Sequence, residues 1–140
     1  MHATIKWGGK VHFIATADSG HTIPLDGPPE AGGENRGSRP MELVLMGLGG
    51  CSSFDVVTIL QKARQDVTDC VTEIDAERAA DVPQVFTRIH LHFKVSGRGL
   101  DAGKVARAVS LSAEKYCSAS IMLERAGAAI SHDFEIVEVQ

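Results

Sequence analysis

The residues of this chain most able to carry out chemistry are its three cysteines, Cys51, Cys70 and Cys117. A cysteine reacts as its thiolate, and a free thiol with a pKa of about 8.5 becomes a better nucleophile beside a cation or at a helix N-terminus. An odd number of cysteines in a reducing compartment favours reactive or buried free thiols over structural disulfides. The neighbours of each cysteine must therefore decide which thiol can react.

Cys51 lies about three turns into a helix that Pro40 is expected to begin, because proline suits the first helical position. The helix dipole acts within the first turn only, so this thiol needs a separate charged partner. Arg36 and Arg39, in the loop before the helix, are the candidates. Asp55 follows at i+4, and its carboxylate would raise the thiol pKa unless it is paired or turned away.

Cys117 stands at the junction of two predicted helical segments, where the free amides of the second helix would lie close to its sulfur. Cys70 begins a strand after Asp69 and is expected to be an isolated thiol. Free cysteine is also a small hydrophobe that is commonly buried and inert. The residues alone therefore leave open whether Cys51 and Cys117 are reactive or purely structural.

His90 and His92 share one face of a predicted strand and are a possible pair of metal ligands. Neither a cysteine nor a third histidine lies near them in the sequence, so a solvated strand face is the favoured interpretation and no metal site is predicted. The glycines at 47, 49 and 50 do not form a phosphate-binding loop, because no Lys-Ser or Lys-Thr pair follows. We therefore expect no cofactor.

The positions of turn residues and the spacing of apolar residues predict a mixed α+β fold of order β-β-β-α-β-β-α-α-β in a single domain, residues 1–140. The helix from Pro40 is apolar on nearly every side, which is typical of a long buried central helix. The predicted segments are strands at 3–7, 11–15 and 21–25, a loop at 27–39, the helix from 40, strands at 67–77 and 85–97, helices at 101–116 and 118–126, and a strand at 130–139.

Composition excludes several classes of function. The net charge is −4, which argues against a nucleic-acid-binding surface. The apolar stretch from Leu43 to Cys51 is short and glycine-rich, so no membrane span is expected. The first residues lack a basic start followed by an apolar run, and we therefore expect a cytoplasmic protein rather than a secreted one.

Two segments resemble signatures of the OsmC/Ohr superfamily. In the first, Arg39-Pro40-Met41-Glu42 leads to Cys51, eleven residues after the proline; in the second, Ala113-Glu114-Lys115-Tyr116 precedes Cys117-Ser118. The string Pro-Met-Glu-Leu-Val-Leu-Met-Gly and the string Ala-Glu-Lys-Tyr-Cys-Ser are similar to the YhfA-like branch. The resemblance extends over essentially the whole chain and implies an OsmC-like fold that forms an intertwined homodimer.

The resemblance also implies an activity, the thiol-dependent reduction of organic hydroperoxides in oxidative-stress defence. Carried over by position, Cys51 would be the thiolate that attacks the peroxide and becomes a sulfenic acid. Cys117 would be the resolving thiol that closes a disulfide, which an external dithiol would then reduce. The implied partners are a hydroperoxide, a dithiol and a second copy of the chain.

Two departures from the family pattern bear on the activity: the position of the family's glutamate, and its arginine, for which Arg36 and Arg39 are both candidates. The peroxidase branches place a glutamate directly after the proline, paired with an arginine beside the reactive cysteine, whereas this chain has Met41 there and Glu42 next. Successive helix residues point about 100° apart, so Glu42 is not a simple replacement. The alternative hypothesis is therefore a non-catalytic, redox-responsive or ligand-binding protein of the same fold.

Overall fold

The computed structural model describes all residues from Met1 to Gln140 and contains six strands and three α-helices. The mixed α+β order predicted from the sequence is confirmed, with two three-stranded sheets, β1-β2-β3 and β4-β5-β6. The elements are β1 Ala3–Trp7, β2 Phe13–Ala17, β3 Thr22–Leu25, α1 Pro40–Lys62, β4 Asp66–Arg78, β5 Phe86–Arg98, α2 Ala102–Leu111, α3 Ser118–Arg125 and β6 Ala129–Glu138.

The chain divides into two compact units, residues 1–46 and residues 47–140. The first unit contains the predicted antiparallel meander of β1, β2 and β3. Strand β2 begins at Phe13 rather than at Val11, because residues 8–12 form the turn, in which the amide of Gly8 donates to the carbonyl of His12 at 2.8 Å. The loop at 27–39 contains a short 3₁₀ turn at Pro29–Ala31.

Asp26 is the buried carboxylate around which this loop is arranged, with 2% of its surface exposed. It accepts hydrogen bonds from the backbone amides of Gly27, Glu34 and Arg36 and from the guanidinium of Arg36. Burial alone would raise the pKa of Asp26, but the amides and the guanidinium outweigh burial and lower it to about 2. The loop is therefore fixed by a charged group that stays ionised.

The second unit contains the long β4–β5 hairpin, with β6 added parallel to β5. A parallel connection requires a crossover, and α2 and α3 supply it. On β5 the apolar residues alternate as predicted and are buried. The core of this unit is made of apolar side chains from α1, β5 and α2, namely Leu48, Val56, Leu60, Ile89, Leu91, Phe93, Val95, Val105, Ala108 and Val109.

Helix α1 begins at Pro40, as predicted, and the carboxylate of Glu42 accepts a hydrogen bond from the amide of Arg39 at 2.7 Å, which satisfies one free donor at the helix start. The helix ends at Lys62, and Arg64 adopts the left-handed conformation with a φ of 57°.

The sequence predicts that α1 is buried on nearly every side, but within one chain only one side of the helix is buried. Its buried residues are Leu48, Gly49, Ser52, Val56 and Leu60, whereas Phe54 is 72% exposed. The continuous helix is 23 residues long and contains an 18-residue window with a mean hydropathy of 1.8, so by length and composition alone it could cross a membrane. A core helix of a soluble protein meets the same criterion, so the expectation that the chain has no membrane span stays a prediction.

Candidate active site

The structure brings together the sulfurs of Cys51 and Cys117. These two atoms and a carboxylate oxygen of Asp55 all lie within 4.8 Å of one another. All three cysteines of the chain are free. A disulfide requires a sulfur–sulfur distance of about 2.05 Å, so the two thiols must still approach each other before they can form a bond.

Cys117 owes its position to an irregular turn. The sequence predicts one helix from 101 to about 116, but α2 ends at Leu111 and residues Ser112–Tyr116 form a π turn. The amide of Cys117 donates to the carbonyl of Ser112 at 2.8 Å, five residues back. Cys117 then leaves the helical conformation, with a φ of −77° and a ψ of 100°, and is the N-cap residue of α3.

The sulfur of Cys117 is fully buried but has polar neighbours. The hydroxyl of Ser52 lies 3.2 Å away, and the amide of Ser120 donates to the sulfur at 3.4 Å. Burial raises the pKa of Cys117; Ser52 and Ser120 act in the opposite direction, and the sulfur of Cys51 adds to the increase. Cys117 is therefore held as a thiol, whereas Cys51 is partly exposed to solvent.

An activated Cys51 was expected only if Asp55 is paired or turned away, and Asp55 is not turned away from the thiols. Its Oδ2 atom lies 3.3 Å from the hydroxyl of Ser112, which is also 3.2 Å from the carbonyl oxygen of Ser52. A hydroxyl has one proton and can donate to only one of these oxygens at a time. An oxygen of the Asp55 carboxylate thus lies within 4.8 Å of both sulfurs.

Sequence reasoning missed the three serines at 52, 112 and 120. Each is buried, and together they supply the polar surroundings of Cys117. Buried serines usually have hydrogen-bond partners, so a serine inside an apolar helical run is a signal that could have identified them. A cavity of about 10 Å³ lies among these serines, and its lining includes Phe93 and His132. It has room for about one water molecule.

The predicted supporting residues lie in the other compact unit. The Nε atom of Arg36 lies 3.3 Å from Asp26 and 3.7 Å from Glu34, and the Nε atom of Arg39 lies 4.0 Å from Glu42. Their guanidinium charges thus have carboxylate partners within residues 1–46. The role of Arg36, Arg39 and Glu42 at the thiol site stays a prediction.

Cys70 lies on β4 and is partly buried, and it is not part of the cluster. Burial raises the pKa of Cys70. A hydrogen bond with the side chain of Thr72 lowers this pKa in part, and the charge of Asp69 raises it further. Among the histidines, cysteines and acidic residues, only Cys51, Asp55 and Cys117 lie close enough together to offer three ligand atoms to one metal ion. Two thiolates and a carboxylate are donors that zinc accepts.

Comparisons with known proteins concern the family and the fold of the chain. The family of OsmC-like proteins matches residues 32–133. The chain is 50% identical to Protein YhfA of Escherichia coli strain K12 over 98% of each chain. A hypothetical protein from Aquifex aeolicus shares 27% identity and a TM-score of 0.87, with 99% of this chain and 97% of that chain covered.

A more distant structure is an organic hydroperoxide resistance protein, OsmC, from Legionella pneumophila. It shares 19% identity and a TM-score of 0.71 over 96% of this chain and 95% of that chain, and at this identity it establishes the fold alone. The family match spans most of the chain, and the similarity to YhfA spans nearly all of it. The chain therefore belongs to the OsmC-like protein family.

Proposed function

We propose that this protein reduces organic hydroperoxides with the cysteine pair Cys51 and Cys117, using an external dithiol as reductant. The observation that carries the proposal is the approach of the two sulfurs to within 4.8 Å, with one partly exposed and the other fully buried. A peroxide can reach the exposed sulfur, and a buried thiol beside it can close a disulfide. The Legionella relative, whose name refers to hydroperoxide resistance, adds support by analogy of fold.

In the first step the Cys51 thiolate attacks the terminal oxygen of ROOH. The O–O bond breaks, Cys51 becomes a sulfenic acid, and RO⁻ leaves and takes up a proton to become the alcohol. The sulfur is oxidised by two electrons, and the peroxide is reduced by two. The partly exposed position of Cys51 fits this role, because Cys117 has no exposed surface.

In the second step the sulfur of Cys117 attacks the sulfur of the sulfenic acid. A disulfide forms and water leaves. The thiol proton of Cys117 must be removed, and Asp55, whose carboxylate oxygen lies within 4.8 Å of the sulfur, is the acceptor we assign to it. A dithiol then reduces the disulfide by exchange and restores both thiols. The net change converts ROOH and a dithiol to ROH, water and an oxidised dithiol.

We also propose that the working form is a cytoplasmic homodimer. Helix α1 has large apolar side chains on its exposed side, including Met46 at 55% and Phe54 at 72% exposure. An exposed apolar face of this kind is typical of a surface that another protein covers. A second copy of the chain offers the same helix and can cover it symmetrically.

A second candidate function rests on Met41, which stands where the peroxidase branches have glutamate. In this case the cysteine pair would respond to oxidants or support a binding function with little turnover. The disulfide would still form after oxidation, but catalytic consumption of peroxide would be absent. Measurements of turnover and of disulfide formation therefore separate the two functions.

The test is consumption of cumene hydroperoxide by purified protein with a dithiol in excess. We expect turnover in the wild type, none above background in Cys51→Ser, and unchanged turnover in the control Cys70→Ser. Cys117→Ser should accumulate a sulfenic acid that dimedone traps. Equal consumption by wild type and Cys51→Ser would overturn the assignment, and a single stoichiometric oxidation without turnover would favour the second function.

A further inference from the structure

The cluster of Cys51, Asp55 and Cys117 lies wholly within the second compact unit, and its three ligand atoms are within 4.8 Å of one another. The two histidines on β5 do not form a comparable group. The rings of His90 and His92 each hydrogen-bond directly to a side chain of β6, on the exposed face of the sheet. The thiol cluster is therefore the place where this unit offers three ligand atoms to a single ion.

Asp55 is a carboxylate without a cation beside it. Its one hydrogen-bond partner is the hydroxyl of Ser112, at 3.3 Å, and neither sulfur is hydrogen-bonded to it. The ion pairs of this unit all join residues of β4, β5 and β6, and none of them includes Asp55. Charged groups that are withdrawn from water are usually paired or bind a metal ion. The partly buried carboxylate and the two thiols therefore form an electron-rich site that lacks a positive charge.

The distances among the three ligand atoms are compatible with one tetrahedral ion. Two thiolates on a zinc ion, with Zn–S bonds of about 2.3 Å, lie about 3.8 Å apart, and a thiolate and a carboxylate oxygen lie about 3.5 Å apart. Both separations fall within the 4.8 Å that encloses the three atoms. A disulfide, by contrast, requires the two free thiols to approach to about 2.05 Å. Binding of an ion therefore requires smaller side-chain movements than disulfide closure does.

Neighbouring polar groups already orient the ligands. The hydroxyl of Ser112 lies 3.3 Å from the carboxylate of Asp55. The hydroxyl of Ser52 lies 3.2 Å from the sulfur of Cys117. Hydrogen bonds from such outer partners fix the orientation of metal ligands and tune their affinity. Because Cys51 is only partly buried, solvent can supply the water molecule that completes fourfold coordination.

We propose that the sulfurs of Cys51 and Cys117 and a carboxylate oxygen of Asp55 bind a divalent thiophilic metal ion, for which Zn²⁺ is the probe. Water is the fourth ligand, and the thiol protons that the ion displaces pass to solvent. The ion supplies the positive charge that the carboxylate lacks. While it is bound, both sulfurs are coordinated, so Cys51 is protected from oxidants and alkylating reagents. Metal binding does not depend on the proposed reduction of hydroperoxides and is tested separately from it.

The test is calorimetric titration of Zn²⁺ into the reduced full-length protein. We expect a site whose affinity falls by about tenfold or more in Cys51→Ser, in Cys117→Ser and in Asp55→Asn, because the loss of even an outer partner of a metal ligand typically costs about tenfold. Cys70→Ser and Asp69→Asn are the matched controls. They remove a thiol and a carboxylate that lie outside the cluster, so both variants should bind Zn²⁺ as tightly as the wild type does.

Two further measurements report on the sulfurs directly. Co²⁺ in place of Zn²⁺ should give a sulfur-to-cobalt charge-transfer absorption in the wild type and in Cys70→Ser, and the absorption should be absent when Cys51→Ser and Cys117→Ser are combined. In the wild type, which needs no substitution, Zn²⁺ should protect Cys51 from iodoacetamide, and a chelator should restore the labelling.

Peroxide turnover enters none of these measurements, so their outcome is independent of the proposed function. The proposal is overturned if no Zn²⁺ binds or if the variants of the cluster bind Zn²⁺ as tightly as the two controls do. It is also overturned if iodoacetamide labels Cys51 at the same rate with and without Zn²⁺.

Discussion

The hydroxyl of Ser52 lies 3.2 Å from the sulfur of Cys117, although the two residues are 65 positions apart in the sequence. Ser52 directly follows Cys51 on α1, so the same helical turn presents the sulfur of Cys51 and a hydrogen-bond partner for the sulfur of Cys117. The pair is thus arranged by one segment of α1 and by the junction between the π turn and α3.

Replacement of Ser52 by alanine should weaken this arrangement. The sulfur of Cys117 would keep only the amide of Ser120, so we expect slower disulfide closure after oxidation and a loss of about 1 kcal/mol in the free energy of unfolding. Dimedone trapping of the sulfenic acid and urea denaturation provide the two measurements.

Ser53→Ala is the matched control for Ser52→Ala. The hydroxyl of Ser53 pairs with Thr72 at 2.6 Å, and it lies on the same helix. Its removal should affect stability by a similar amount but leave the rate of disulfide closure unchanged. Equal closure rates in wild type and both variants would show that Ser52 has no part in positioning Cys117.

Replacement of Asp55 by asparagine should slow disulfide closure most strongly at neutral and lower pH. The carboxylate is the proposed proton acceptor for Cys117, and at high pH hydroxide takes over this role. Quenched-flow mass spectrometry after one equivalent of peroxide, repeated across pH, measures the rate. Asp69→Asn is the control, and a uniform decrease at every pH would indicate a structural role instead.

Alkylation should distinguish the three cysteines. We expect iodoacetamide at pH 7 to label Cys51 first, because Cys117 is fully buried with a raised pKa and burial also raises the pKa of Cys70. Peptide mapping over time gives the order. Faster labelling of Cys70 than of Cys51 would contradict the assignment of Cys51 as the reactive thiol.

Replacement of Asp26 by asparagine should lower the melting temperature at neutral pH. The folded-state pKa of about 2 lies below the ordinary 3.8, so the charged form stabilises the fold above about pH 4. This contribution is lost as the pH falls through about 2, and the wild type should approach the variant there. Melting curves from pH 7 to pH 2 test this, with exposed Asp81→Asn as a control whose difference from wild type should not show this dependence.

Replacement of Phe54 by aspartate should dissociate the proposed homodimer. A charge on the exposed apolar face of α1 must be desolvated if a second copy covers that face. Sedimentation velocity should show a dimer for the wild type and for Val82→Asp in the exposed hairpin turn, and a monomer for Phe54→Asp. A wild-type monomer, or a dimer that Phe54→Asp leaves intact, would contradict the proposed interface.

The sequence was sufficient to predict the order of the elements because the residues that begin, cap or pattern several of them are clear. Pro40 begins α1, Asp101 caps α2 by accepting from the amide of Lys104 at 3.0 Å, and the alternation from Ile89 to Val95 defines the buried face of β5. These are local signals, and each was interpreted from residues close in sequence.

The site depended on contacts that local patterns do not encode. The approach of Cys51 to Cys117 results from the packing of α1 beside the crossover, and the polar neighbours of Cys117 come from three serines on separate segments. The charge on Asp26 was also not predicted, because its hydrogen bonds reach up to ten residues along an irregular loop. The resemblance to a family was needed to predict the cysteine pair, and the residues around the pair are visible only in the structure.

The π turn at Ser112–Tyr116 holds an extra residue compared with an α-helical turn. Deleting one residue from this stretch would restore ordinary helical spacing and rotate Cys117 by about 100° about the helix axis. Such a deletion would separate the two sulfurs although both cysteines remained in the chain. By contrast, the hairpin turn at 79–85 lies outside this constraint, and insertions there would leave the sulfur pair in place.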